Sequence, residues 1–359
     1  MTGRVVKKFL SFAVLPLFAW YSAAAAQIVA SFVYNEDGTA RLERDTNGDG
    51  KMDRWIYYDR EGKIERMEQD EDFDGKADSM LFYEAGKLKR LEVSTKRNGR
   101  FDRVVHYQDE KISRVEEDTN GDGKMDSFSV FENGQLVKRE ASRKQAGKID
   151  LWGYYQDGRL VRQEEDLNGD GKADRILYFE GGELVRREED SRGNGRIDLV
   201  EFFSQGKLAK RLIDTQGDGK FDRLQVFEGD VLAREERDTD GDGYFDLRIF
   251  YENGHVARQE ADTNRDRRVD VWAYFQDGKR VQQDEDQNFN GKIDARYLFK
   301  EGQIVAQEKI AEQDPRSPSQ PLLSVREAMA GIAAPIPRAF EKREKGFVSR
   351  DGESGTVRE

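Results

Sequence analysis

DTNGDGKMD, residues Asp45–Asp53, decides the reading of this chain. The same nine residues recur at Asp118–Asp126, and DLNGDGKAD stands at Asp166–Asp174. Full or degraded copies begin at residues 45, 70, 94, 118, 142, 166, 190, 214, 238, 262 and 286, spaced by 24 residues with one step of 25. A fixed period of this length marks a repeat array, in which each unit packs on its neighbours. Composition agrees. The 359 residues are 36% hydrophobic and 37% charged, too polar to fill one large core.

The loops alternate with hairpins. Five residues after the last Asp of each copy stands an aromatic, from Tyr58 and Tyr83 to Phe275 and Phe299. A turn follows, then a basic segment. In Leu247–Glu260 the turn is Asn253-Gly254, the strongest short hairpin signal, because a type I′ turn needs positive φ at both central residues. A plain ladder from that turn pairs Glu252 with His255, Tyr251 with Val256 and Phe250 with Ala257. One face then carries Ile249, Tyr251, Val256 and Arg258, and the other Arg248, Phe250, Ala257 and Gln259. Trp55 and Tyr57 share a face, as do Trp152 with Tyr154 and Trp272 with Tyr274. The expected fold is all-β: an elongated array of about eleven 24-residue β-hairpins, an antiparallel meander. The rival is a β-propeller with two repeats per blade.

The loop carries the chemistry. Oxygen-bearing side chains stand at loop positions 1, 3, 5 and 9, with Gly at 6 and an apolar residue at 8. Hard oxygen donors at alternating positions wrap a calcium ion, position 7 adds a carbonyl, and Gly at 6 permits the sharp turn. Seven copies keep the full donor set together with Gly at 6. They supply Asp45, Asn47, Asp49 and Asp53; Asp70, Asp72, Asp74 and Asp78; Asp118, Asn120, Asp122 and Asp126. Further along come Asp166, Asn168, Asp170 and Asp174; Asp214, Gln216, Asp218 and Asp222; Asp238, Asp240, Asp242 and Asp246; Asp286, Asn288, Asn290 and Asp294. About seven Ca2+ sites follow. The copy at 262 keeps Asp262, Asn264, Asp266 and Asp270 but has Arg267 in place of Gly, so either the turn is strained or the site is weaker, and the copy at 190 carries Arg192 at position 3. The copies at 94 (Ser94, Lys96, Asn98, Asp102) and 142 (Ser142, Lys144, Ala146, Asp150) have lost the site. Both keep the position-9 Asp, so that residue has a structural task, bonding turn amides. A lysine in place of a ligand supplies positive charge from within the protein.

The loops resemble the first nine positions of an EF-hand. They depart from it at position 12, where Ile56, Leu81, Leu177 and Ile249 replace the bidentate Glu. They are more similar to thrombospondin type 3 and related bacterial calcium-binding repeats with DxDxDGxxD loops, and the hairpins resemble bacterial MORN-variant repeats. The resemblance spans most of residues 27–310 and implies calcium held by the loops. A carboxylate two residues before the loop, as in Glu43, Glu68, Glu92, Glu116, Glu140 and Glu164, is either a further ligand or an ion-pair partner of Arg66, Arg162 and their equivalents. Leu212 breaks this pattern.

The ends differ from the array. Arg4, Lys7 and Lys8 precede the apolar run Phe9–Ala26, the layout of a secretory signal, so residues 1–26 read as a signal peptide and the protein as secreted or periplasmic. A retained anchor is the alternative. Residues 27–44 read as a cap half-repeat, 45–310 as the array and 311–359 as a disordered tail. Five of the six prolines lie in the tail and none in the array. Ser324 and Glu327 have capping-box spacing for one short helix with Val325, Met329 and Ile332 on one face.

The net charge of −12 argues against a nucleic-acid partner, and the absence of cysteine excludes disulfides and thiolate sites. With two histidines and no nucleophile motif, no enzyme is expected. The expected function is a structural or adhesive scaffold stiffened by calcium, with a protein or glycan partner at the cell surface or in the periplasm. The alternative is a peptide- or glycan-binding sheet whose exposed Trp55, Trp152 and Trp272 make the contacts.

Overall fold

The computed structural model describes residues 6–9, 29–144, 148–310 and 324–330. The chain divides into two units, Met1–Leu184 and Val185–Glu359. Among the described residues, both are all-β apart from one short helix in the second. Of the expected leader only the strand Val6–Phe9 is described, paired with Val29–Tyr34. The rest of residues 1–26 and most of the tail lie outside the described residues. Val29–Tyr34 and Ala40–Asp45 form a hairpin that opens the first unit.

Within each unit every strand pairs antiparallel with the next in the chain, across the hairpin turn and across the Asp loop alike. Arg54–Tyr58 pairs with Ile64–Gln69, which pairs with Ser79–Glu84. In the second unit Val271–Gln276 pairs with Lys279–Glu285, which pairs with Ala295–Lys300. Propeller blades would interrupt this ladder after four strands. No such break occurs within either unit, so the open meander holds and the propeller does not.

The turns follow the sequence signal. Asn253 and Gly254 have φ of 51° and 78°. The single 25-residue step has a local cause: the Asp59 amide bonds the Lys63 carbonyl around Arg60-Glu61-Gly62, one residue longer than the Ala85-Gly86 turn.

The plain ladder expected beyond the turn is wrong by one residue. Glu252 pairs with His255 and Tyr251 with Val256, but Phe250 pairs with Arg258, not Ala257. Ala257 is a β-bulge. The same bulge stands at Glu65, Lys89, Ser113 and Val161 in the first unit and at Ala209, Ala233 and Val281 in the second. One inserted residue flips the side chains that follow to the other face. Phe250, Arg258, Arg248 and Glu260 therefore share one face, and Ile249 and Gln259 the other.

That shift creates two rows on one face of each sheet. In the first, cations alternate with rings: Tyr57, Arg66, Phe82 and Arg90 stand opposite one another in succession. Arg66 lies 4.1 Å from the Tyr57 ring centroid, Arg90 4.1 Å from Phe82 and Arg258 4.1 Å from Phe250. In the second row carboxylates alternate mostly with apolar groups, as in Trp55, Glu68 and Met80. The long arginine stems cover the rings, so a thin sheet gains apolar contact without a second layer.

Among the described residues, the denser core lies in the second unit. Val200, Phe202, Leu212, Leu224, Phe245 and Ala328 are buried together, with Ile197, Phe221, Val226 and Val325 against them. Ile197, Phe221 and Phe245 are position-8 loop residues, which fold back over the sheet. Leu212, the exception to the carboxylate pattern, is fully buried at the centre of this cluster. Its cover is the helix Val325–Ala330. The expected capping box is formed: the Ser324 amide donates to Glu327 at 2.9 Å and the Glu327 amide to the Ser324 hydroxyl at 3.2 Å. The Val325 amide bonds the Gly243 carbonyl, tying the helix to the loop at 238. Met329 and Ile332, expected on the buried face, lie outside the described side chains.

Candidate metal centre

Each loop is closed by its own carboxylates. In the loop at 45, the Asp45 carboxylate accepts the amides of Gly48 at 2.6 Å and Gly50 at 2.8 Å. Asn47 accepts the Asp49 amide and Asp49 the Lys51 amide. Asp53 accepts the Thr46 amide at 2.7 Å and the Thr46 hydroxyl at 2.8 Å. The Asp53 amide returns to the Arg44 carbonyl, and its carbonyl accepts the Asp70 amide of the next loop. The same pattern recurs along both units, so the strand ladder continues through the loops. Position 1 is buried, as at Asp45 and Asp166, and so is position 9 in most loops, as at Asp53 and Asp174, but Asp246 and Asp294 are half-buried; Asn47, Asp49 and Asp170 are exposed.

The structural task expected of the position-9 Asp is met where the site is lost. Asp102 accepts the Thr95 amide and hydroxyl, and Asp150 the Arg143 amide. Position 4 is a constraint that spacing alone missed. Its residues take positive φ: 80° at Gly48, 65° at Phe73, 68° at Arg265 and 59° at Phe289. The signal was the glycine at six of the eleven position-4 sites. Arg267 keeps the loop at 262 closed with a φ of 70°, its amide bonding Asp262 at 2.7 Å.

Two loops bring carboxylates together among the described residues. Oxygens of Asp70, Asp72 and Asp78, and of Asp238, Asp240 and Asp246, lie within 4.8 Å of one another. These are positions 1, 3 and 9; Asp74 and Asp242 at position 5 are not members. The donor set is oxygen only, the kind that suits a hard divalent cation. In the loops at 45, 118, 166, 214 and 286, Asn or Gln stands at position 3, so that position brings no third carboxylate.

The electrostatics differ between loops. Burial pushes the Asp246 carboxyl up, helped by Asp240 and Asp238, against the bonds from Thr239. Burial also raises Asp270, with Asp262 adding to it. Burial works the same way on Asp118 and Asp166, but there the glycine amides at positions 4 and 6 and nearby lysines win, and both lie below the usual carboxylate range. The lysines are Lys96 for Asp118, and Lys148 and Lys144 for Asp166.

The carboxylate two residues before the loop is an ion-pair partner. Glu68 meets Arg66 at 2.9 Å, Glu92 meets Arg90 at 3.1 Å and Glu164 meets Arg162 at 2.5 Å, each within one strand. None belongs to an acidic group. The three tryptophans that the alternative function would use as contacts are packed in whole or in part. Trp272 is 5% exposed, packed with Val269, Tyr274 and Ile293, and Trp55 and Trp152 are half-buried.

No family profile matches the chain. No curated protein matches it either. Similar solved structures include TcdB2-TccC3, at 11% identity and a TM-score of 0.17, covering 79% of this chain and 19% of that one. The form without its hypervariable C-terminal region shows 10% identity and a TM-score of 0.17, covering 78% and 19%. The Photorhabdus luminescens Tc holotoxin pore with TccC3-D651A shows 12% and 0.17, covering 80% and 17%. The chain thus spans about a fifth of the length of these chains.

Proposed function

We propose that this protein is a secreted or periplasmic repeat scaffold whose Asp loops take up calcium and are stiffened by it. The observation that carries the reading is the group Asp238, Asp240 and Asp246 within 4.8 Å. Like charges this close repel one another, and a divalent cation relieves that repulsion. The loops are already shaped by amide bonds, so the ion adds rigidity to a formed turn. Oxygen donors and the tolerance for irregular geometry favour calcium over magnesium. The leader-like residues 1–26 support export. The reading includes no catalytic activity. His106, one of two histidines, is engaged by Glu116 at 3.1 Å. The burial of Trp272 weighs against a peptide- or glycan-binding face built on the three tryptophans.

The test is thermal unfolding with calcium, magnesium or chelator. Modules of this kind bind calcium at about 10⁻⁴–10⁻³ M. At 10 mM calcium each site then adds about 1.4–2.7 kcal/mol. An Asp240→Asn, Asp246→Asn variant should lose part of that gain. An unfolding curve indifferent to calcium sinks the reading.

A further inference from the structure

The helix Val325–Ala330 is six residues long, and a helix that short does not hold in water by itself. Its backbone anchor is the loop at 238. The Asp238 carboxylate accepts the Gly241 amide at 2.7 Å and the Gly243 amide at 2.9 Å, which closes the loop. The carbonyl of the same Gly243 accepts the Val325 amide at 3.2 Å. Ser324 makes a single antiparallel bridge with Tyr244. Phe245 is fully buried in the cluster that Ala328 completes. The tail thus engages positions 6, 7 and 8 of one loop in a row. Among the described residues its backbone bonds reach no other Asp loop. That loop is also unlike the rest: position 7 is Tyr244 here and Lys or Arg in the other ten copies. Cations of the neighbouring loops touch it elsewhere. Lys220 donates to the Gly241 carbonyl at 3.4 Å, Arg265 meets Asp240 at 3.0 Å, and Arg267 lies 3.7 Å from the Tyr244 ring centroid.

We propose that the loop at 238 is a latch for the tail: the helix stays docked while the loop is closed and leaves when it opens. Gly243 carries the link, because its amide is held by Asp238 and its carbonyl holds Val325. Opening the loop frees that peptide and draws Phe245 from the cluster under Ala328, so closure and docking are coupled and each favours the other. Release bares the apolar patch around Leu212 and Leu224. Calcium is a second control on the same latch, and that part rests on the calcium reading. An ion at Asp238, Asp240 and Asp246 orders the segment that the helix already holds, so each binds better with the other present. Arg265, whose side chain is 70% exposed, swings away from Asp240 when the ion enters.

The experiment is amide hydrogen exchange by mass spectrometry on the full chain, read on the peptides that cover residues 238–246 and 324–330. In chelator, Asp238→Ala should speed exchange of the helix about five-fold or more. Asp286→Ala, in another loop of the same unit, should leave it alone. Helix exchange equal in Asp238→Ala and wild type overturns the latch. Val325→Pro keeps the start of the helix, where proline is tolerated, and removes the bonded amide. It should speed exchange at 238–246 with Asp238 intact. If Asp238→Ala does not fold, this variant decides from the tail side, and unchanged exchange at 238–246 overturns the latch. Calcium should slow both peptides together. The calcium midpoint at the loop should rise about five-fold in Ala328→Glu, which expels the helix. Slowing at the loop alone overturns the coupling to calcium and leaves the metal reading standing. Slowing at neither peptide defeats the metal reading for this loop, and the chelator comparison then decides the latch by itself.

Discussion

Asp102 accepts the Thr95 amide at 2.7 Å and the Thr95 hydroxyl at 2.8 Å, in a loop whose other acidic positions are gone. This pair separates the turn from the metal. Asp102→Ala should cost about 1–3 kcal/mol, read by urea unfolding, and the loss should be equal with calcium and with chelator. A loss that appears only in calcium would mean the loop at 94 still holds an ion.

The bulge at Ala257 places Arg258 over Phe250, 4.1 Å from its centroid. Arg258 also meets Glu260 at 3.2 Å, so a single substitution mixes two interactions. A double-mutant cycle with Arg258→Met and Phe250→Leu should give a coupling of about 0.5–1 kcal/mol. No coupling would mean that the row of rings and cations is mere proximity.

Leu212 breaks the carboxylate row because the helix Val325–Ala330 covers the patch around it. Leu212→Ala should cost about 2–5 kcal/mol by thermal unfolding. Leu212→Glu restores the repeat pattern and should be at least as damaging in the full chain. In a chain ending at residue 310 the glutamate is open to water and should be tolerated better than in the full chain. Equal damage in both would place the patch's stability in the sheet alone.

Phe73 holds φ of 65° at position 4 while 42% exposed. A bulky residue there carries strain of about 1–2 kcal/mol. Phe73→Gly relieves it against a larger loss of chain entropy, so a gain of up to about 1 kcal/mol is expected. Destabilisation measured by urea unfolding would show that the ring makes contacts worth more than the strain.

Carboxyl titration by NMR in chelator should separate the loops. Asp118 and Asp166 have folded values below the ordinary one. Their stabilisation is present above the unfolded pKa and is lost as pH falls through the folded value. Asp246 and Asp270 are raised. Their contribution is present below the unfolded pKa and lost as pH rises through the folded value, so the chelated loop at 238 should loosen between acid and neutral pH. Calcium should abolish that loosening at 238. Asp246 titrating below the ordinary range without metal would contradict the assignment.

The repeat, the turns, the loop boundaries and the structural position-9 Asp were all legible, because each depends on residues within one 24-residue unit. Asn253-Gly254 names its own turn, and Asp53 reaches Thr46 within one loop. The bulge was not legible. Ala257, Val161 and Lys89 share no residue type, and a bulge depends on how two strands twist together. The burial of Trp272 was also hidden, since its cover comes from Val269 and Ile293 of two different loops.

By itself the amino-acid sequence determined a hairpin array punctuated by acidic turns, because period and turn chemistry are local properties. Only the tertiary structure decided which loop a lysine such as Lys144 reaches. Lys144 stands in one loop and donates to Asp166 and Leu167 of the next. That contact crosses about one full repeat, and it exists because the antiparallel ladder stacks consecutive loops side by side. The structure likewise decided that Leu212 is covered by a helix more than a hundred residues further along the chain. Long-range neighbours are set by packing, which local pattern does not encode.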